Sequence, residues 1–88
     1  MEAFVMEAKH KAFYWLDEKR ISVQITFDKD KKETIEEAFV SWERSASGYN
    51  PKDEKRILIF TKTVDKSEEI VDIIKGLENK SFLIEEVT

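Results

Sequence analysis

The sequence predicts a two-layer α+β fold, in which two amphipathic helices pack on one face of a mixed four-stranded β-sheet. Three patterns lead to this prediction. Alternating apolar residues predict a strand at 21–27, a continuously apolar run predicts another at 56–62, and two apolar stripes have helical spacing. The expected order is an N-terminal hairpin and then a β-α-β-α-β series that starts from its second strand. With 88 residues, the chain is expected to form a single domain over 1–88.

The hairpin is predicted from the stretch AFYWLDEKRISVQITF, residues 12–27. Its second half alternates between apolar and polar residues, as in a strand with one covered face. Its first half does not, because residues 13–16 are all apolar or aromatic, and the LDEKR segment supplies a tight turn between the halves. Residues 1–11 fit either a helix or a strand. A strand is favoured from Lys11 onward, because the aromatic run Phe13–Trp15 is typical of strands.

The first helix is predicted between two loops, 28–33 and 47–55. Thr34 and Glu37 have the spacing of a capping box at its start, and Gly48 is well placed to end it. Its apolar stripe consists of Ile35, Ala38, Phe39, Trp42 and Ala46.

The second helix is predicted over 66–79, with Asp65 or Ser67 as its N-cap. Its buried stripe consists of Ile70, Ile73, Ile74 and Leu77. Gly76 is expected to cost about 1 kcal/mol relative to alanine unless close packing requires it. A weaker strand, 81–87, comes next and suits a solvent-exposed edge of the sheet.

The composition excludes several classes of protein. Charged residues make up 39% of the chain, cysteine is absent, and the chain has one Gln and two Asn. This bias is typical of thermophile proteins, although a small mesophile protein of high solubility is an alternative. Without cysteine there is no disulfide or zinc-thiolate chemistry. Neither a membrane-spanning run nor a signal peptide is recognised, so a soluble cytoplasmic protein is expected.

The doubly apolar first strand predicts a partner. Two helices cover one face of the sheet, so apolar residues of strands 12–16 and 57–60 are left on the other face, where they exceed the usual exposed patch. They are Phe13 and Trp15 or else Tyr14 and Leu16, together with either Ile57 and Ile59 or Leu58 and Phe60. The expected solution is a homodimer. In one version of it, strands are intertwined between the two subunits. An N-terminal segment folded over that face is the alternative. The candidate interface residues are Phe13, Tyr14, Trp15, Leu16, Leu58 and Phe60.

Weak nucleic-acid binding is a second hypothesis for the same strand. Tyr14, Trp15 and Tyr49 would stack on bases if they are exposed on a sheet, and lysine-rich loops would contact phosphates. The net charge of −4 and the three arginines argue against it. The candidate cationic residues are Lys9, Lys11, Lys29, Lys31, Lys32, Lys52, Lys55 and Arg56.

The sequence offers no recognisable catalytic constellation. His10, the one histidine, lies between two lysines and is expected on the surface. The DKDKKE segment lacks the glycine of a calcium loop, and no glycine-rich phosphate loop or nucleophile elbow is present. We therefore expect a non-enzymatic homodimeric interaction module and predict no catalytic, cofactor-binding or metal-binding residue. A small enzyme whose site forms between subunits, with His10 and nearby acids, is a third hypothesis.

Overall fold

The structure, a computed structural model, describes residues 10–87 and shows the predicted α+β fold with five strands rather than four. The elements are β1 (His10–Asp17), β2 (Arg20–Asp28), α1 (Lys32–Ala38), β3 (Glu43–Asn50), β4 (Lys55–Thr63), α2 (Ser67–Asn79) and β5 (Phe82–Glu86). A short 3-10 turn, Lys29–Lys31, joins β2 to α1.

The five strands form one mixed sheet in the order β3-β4-β2-β1-β5. The β1–β2, β2–β4 and β4–β3 pairs are antiparallel, and β5 lies parallel to β1 at the edge. Strands β2 and β3 therefore run in the same direction, as do β4 and β5. Each helix thus belongs to a crossover between parallel strands. The second crossover, from β4 through α2 to β5, is the predicted one, whereas the first runs from β2 to the unpredicted β3, because β2 and β4 are antiparallel neighbours.

The N-terminal hairpin is confirmed. Strand β1 pairs with β2 from Ala12 opposite Ile25 to Asp17 opposite Arg20, and Glu18 lies in the intervening turn with a φ of 53°. The choice between helix and strand for residues 1–9 lies outside the described residues.

The first helix is shorter than predicted, and the sequence prediction is wrong about the residues after it. Helix α1 ends at Ala38, and the residues predicted as its last turns form the edge strand β3. The predicted loop 47–55 is correspondingly reduced to a turn at residues 51–54. The proposed capping box is also wrong, because Thr34 lies inside the helix and Lys31 is its N-cap.

The apolar stripe of α1 was misleading because residues beyond the helix also reach the core. Phe39 and Trp42 lie in the turn after α1, where the Trp42 amide donates to the Phe39 carbonyl over 2.9 Å, and both side chains pack against the core. From residue 39 to 49 the chain is rich in serine, aromatic and glycine residues, which disfavour a helix. Strand β4 offers the backbone groups with which β3 pairs.

Helix α2 agrees with its prediction over Ser67–Asn79, and its stripe packs against the core. The capping prediction is wrong, since Lys66 occupies the N-cap position and no side chain caps the helix. A Cβ added at Gly76 would have no neighbour within 4 Å, so close packing does not require glycine there.

Both helices lie on one face of the sheet, where the core forms. Phe39 is the centre of an aromatic cluster: its ring stacks on Phe60 at 4.6 Å and meets Phe82 edge-on at 5.4 Å. The buried apolar residues of this core are Ala12, Ile21, Val23, Ile25, Phe27, Ile35, Phe39, Leu58, Phe60, Val64, Leu77 and Phe82.

Within residues 10–87, neither helix has the length and apolar character that crossing a membrane requires.

Candidate functional site

The sheet face opposite the helices, which we call the open face, carries large apolar side chains. Because side chains alternate along a strand, Phe13 and Trp15 of β1 project there, as do Ile57 and Ile59 of β4. None of the four belongs to the core cluster, and 43% of the Phe13 side chain is exposed. In the part of the chain that the structure describes, no helix packs on this face.

The open face is arranged in columns on either side of β2. Strand β2 contributes a polar column of Ser22, Gln24 and Thr26, with the aromatic residues of β1 on one side and the isoleucines of β4 on the other. At the outer edges, Leu83 of β5 is 45% exposed, whereas β3 presents the small residues Ala46 and Gly48. The side chains of β1 and β5, on one side of β2, are therefore larger than those of β4 and β3 on the other side.

The structure divides the predicted interface residues between the two faces. Phe13 and Trp15 lie on the open face. Leu58 and Phe60 lie beneath the helices and are 3% and 4% exposed, so they belong to the core, and Ile57 and Ile59 take their place on the open face.

Tyr14 and Leu16 also lie on the helix side of the sheet. Leu16 remains 44% exposed near the β1–β2 turn. Tyr14 packs against the core, and burial raises the pKa of its phenol above the ordinary value, an effect that the neighbouring Glu86 carboxylate increases.

A second feature is an open groove of about 760 Å³ at one end of the sheet, which we call the basic groove. Four lysines and His10 line it, together with one carboxylate, that of Asp28. The full lining is His10, Lys11, Thr26, Phe27, Asp28, Lys31, Thr34, Lys55, Lys80 and Ser81.

The Asp28 carboxylate in the basic groove is already paired. Lys55 Nζ donates to Asp28 Oδ1 over 2.6 Å. This hydrogen bond holds the pKa of Asp28 below its ordinary value and raises the pKa of Lys55. Because Asp28 is neutralised by Lys55, the other lysines of the groove face no free carboxylate of its lining.

A third feature is a pocket of about 420 Å³ beside β3, which we call the arginine pocket. It exists because α1 has only seven residues and leaves β3 uncovered; every residue of β3 is exposed. Phe27 lines both this pocket and the basic groove. The full lining is Phe27, Lys32, Arg44, Ser47, Gly48, Tyr49, Arg56, Ile57 and Leu58, which includes no carboxylate.

The structure brings together most of the cationic residues proposed for nucleic-acid binding. Lys11, Lys31 and Lys55 line the basic groove, and Lys32 and Arg56 line the arginine pocket. Two more are exposed in turns outside both sites, Lys29 before α1 and Lys52 between β3 and β4. Lys9, the remaining one, lies outside the described residues.

Sequence reasoning missed two residues of these sites, Arg44 and Lys80, and misplaced a third. Arg44 was placed in the predicted helix, and Tyr49, a proposed base-stacking residue, was placed in a loop, so their position on a strand beside Arg56 was not foreseen. Lys80 lies just after α2, far along the chain from the other lysines of the groove, and only the β1–β5 pairing brings it there. The pairing of β3 with β4 is the signal that would have found Arg44 and Tyr49.

His10, the basis of the third hypothesis, lies at the start of β1 with its ring 5.4 Å from that of Phe82. It lines the basic groove with lysines rather than with a cluster of acids. Among residues 10–87, no three His, Asp or Glu side chains are grouped as metal ligands.

Comparison of the chain with protein-family models, with curated proteins and with solved structures found no match.

Proposed function

We propose that this protein is a homodimeric interaction module, and that its two copies pack open face to open face. The observation that carries the proposal is the apolar surface of β1 and β4 on the side of the sheet opposite both helices, where Phe13 is exposed and Trp15, Ile57 and Ile59 are partly exposed. A closed homodimer is the commonest way in which such a surface is buried. The cytoplasm remains the proposed location, which the cysteine-free composition favours.

The chemistry of the open face favours protein over nucleic acid as its occupant. Three of the five large apolar side chains on this face are aliphatic, and Ile57, Ile59 and Leu83 offer no aromatic ring on which a base can stack. Glu43 and Glu85 project onto this face and would repel phosphates, whereas Lys11 would attract them, so the charge of the face does not favour a nucleic acid. Of the three proposed stacking residues, Tyr14 and Tyr49 lie on the other side of the sheet.

The columns of the open face are complementary to themselves. A two-fold axis along β2 places β1 of one copy over β4 of the other, so that Phe13 packs over Ile59. The same rotation places the protruding Leu83 over Gly48, where a side chain is missing. The Gln24 amides of the two copies meet at the axis, where each carries both a donor and an acceptor.

The dimensions of the face suit such an interface. Five strands spaced about 4.8 Å apart, with about 3.3 Å per residue along each, give a face of roughly 24 by 27 Å. Its projected area is therefore roughly 650 Å², before the relief of the side chains is added. A stable interface buries about 800 Å² on each partner, so the contact reaches this size only if it uses nearly the whole face together with the relief of its side chains.

The test is the molar mass in solution, measured by light scattering over a range of concentrations. We expect the wild type to have twice the chain mass of 10.4 kDa. Phe13→Lys should give a monomer, because it removes a large ring from each copy and places an ammonium group, with Glu85 as its cross-strand neighbour, in the contact with Ile59. Trp15→Ala should weaken the dimer by removing a large interface side chain.

The matched control is Val71→Lys, which introduces the same charge at a residue of α2 that is 54% exposed and lies on the helix side. Its mass should equal that of the wild type. A monomeric wild type would overturn the proposal and favour an open face covered within one chain. Circular dichroism of each variant separates loss of the dimer from loss of the fold.

A further inference from the structure

We propose that the arginine pocket binds a nucleotide, with its phosphate held by Arg44, Arg56 and Lys32 and its base placed against Tyr49. This site lies on the helix side of β3 and β4 and does not depend on the dimer. The three side chains that hold the phosphate belong neither to the core nor to the open face.

The charge of the pocket suits an anion. Three cationic side chains line it and no carboxylate does. Arg44 is paired with Glu36 of α1, at 3.2 Å between Nη1 and Oε2. Within residues 10–87, neither Lys32 nor Arg56 lies within salt-bridge distance of a carboxylate. The pocket therefore keeps an excess of positive charge, although the chain as a whole has a net charge of −4.

The type of the cations suits a phosphate in particular. Arg44 and Arg56 come from adjacent strands, and a guanidinium presents a planar fork of donors that matches two oxygens of a phosphate. Arg56 is also held in place, because its guanidinium carbon lies 4.9 Å from the centre of the Tyr49 ring. An arginine positioned in this way loses less conformational entropy when it binds a phosphate.

The apolar part of the lining suits a base. Leu58 and Phe27 are buried and form an apolar floor, and the Tyr49 ring is half-exposed at the rim. Because Leu58 and Phe27 are each 3% exposed, the half-exposed Tyr49 ring supplies the surface that an inorganic anion would leave unused and that a nucleobase would cover on the side away from Arg56. A volume of about 420 Å³ lies within the range of small-molecule sites. The combination of apolar floor, aromatic rim and cations suits a nucleotide rather than phosphate alone.

The nucleotide can be free or part of a single strand, and both sources present the same chemistry. The basic groove adjoins the pocket at Phe27, and three of its four lysines have no salt-bridge partner within residues 10–87. A single strand with one nucleotide in the pocket would place its next phosphates in this groove. A free mononucleotide would leave the groove empty.

The experiment is an amide NMR titration of the full chain with 5′-AMP, inorganic phosphate and a short oligo(dA). We expect the amides of Gly48, Tyr49 and Arg56 to shift with 5′-AMP. Arg56→Ala should raise the Kd at least tenfold, and Arg44→Ala should raise it in the same direction. The matched control, Lys75→Ala, removes one cation from the exposed surface of α2 and should leave the Kd unchanged.

The results of these titrations distinguish a free nucleotide from a single strand, and they also define which results overturn the proposal. Tighter binding of oligo(dA) than of 5′-AMP, with additional shifts at Lys31 and a steep loss of affinity in salt, supports a single strand. Equal affinity, with no shifts in the basic groove, supports a free nucleotide. The proposal is overturned if neither ligand shifts these amides at millimolar concentration. It is also overturned if phosphate binds as tightly as 5′-AMP, or if Lys75→Ala weakens binding as much as Arg56→Ala.

Discussion

Replacement of Phe39 by alanine tests whether the turn after α1 is part of the core. The Phe39 side chain is 1% exposed, and its ring stacks on Phe60 with an angle of 3° between the planes. It also meets Trp42 edge-on at 5.1 Å. Truncating a buried Phe costs about 3–5 kcal/mol, to which the lost aromatic pairs contribute. An 88-residue domain is stable by about 4–13 kcal/mol, so this variant should lose a large share of its stability.

The assay is urea unfolding followed by circular dichroism at one fixed protein concentration, since dimerisation makes stability depend on concentration. Phe39→Leu keeps most of the volume and should cost about 1–2 kcal/mol. Val40→Ala is the control, because the adjacent Val40 is 82% exposed and its truncation should change stability by less than about 0.5 kcal/mol. A cost below about 1 kcal/mol for Phe39→Ala, or an equal cost for Val40→Ala, would refute the placement of this turn in the core.

Two further predictions concern single residues outside the aromatic cluster. Gly76→Ala should raise the free energy of unfolding by up to about 1 kcal/mol, because an added Cβ meets no atom within 4 Å in α2; a loss of stability in urea unfolding would contradict this. The Tyr14 phenol should ionise above its ordinary pKa in an ultraviolet titration, and Glu86→Gln should lower that pKa. Since the folded-state pKa is raised, the contribution of Tyr14 to stability is present below its unfolded pKa and is lost as pH rises through the folded value; an unchanged pKa in Glu86→Gln would count against the pairing.

The predictable parts of this fold are those in which local pattern and tertiary role agree. Alternation in β2 and the stripe of α2 each describe an element that buries one side, so periodicity alone located them. The doubly apolar stretch of β1 was also informative, because its two sides face the core and the open face. In each case the residues that form the pattern lie within a single element.

Strand β3 was not predictable because its pattern is shared between two elements. Ile35, Phe39 and Trp42 have helical spacing, yet the last two reach the core from a turn. All residues of β3 are exposed, so burial leaves no alternation in its sequence. Its existence depends on pairing with β4, a contact that a local pattern does not record. The arginine pocket was missed for the same reason, since it exists only where β3 and β4 meet.

The alternation of side chains along β4 separates the two proposed functions and leads to a final prediction. Arg56 projects to the helix side, into the arginine pocket, whereas Ile59 projects to the open face. Arg56→Ala should therefore weaken 5′-AMP binding, while the molar mass of the variant stays that of the dimer. Conversely, Phe13→Lys, two strands away on β1, should give a monomer whose Gly48 and Tyr49 amides still shift with 5′-AMP. The double variant should combine the two effects without coupling, because Phe13 and Arg56 lie on opposite faces of the sheet and two strands apart, although Gly48 and Ile57 border both surfaces. If Phe13→Lys also abolished the 5′-AMP shifts while its circular dichroism stayed native, the pocket would depend on the second copy, and the independence of the two surfaces would be refuted.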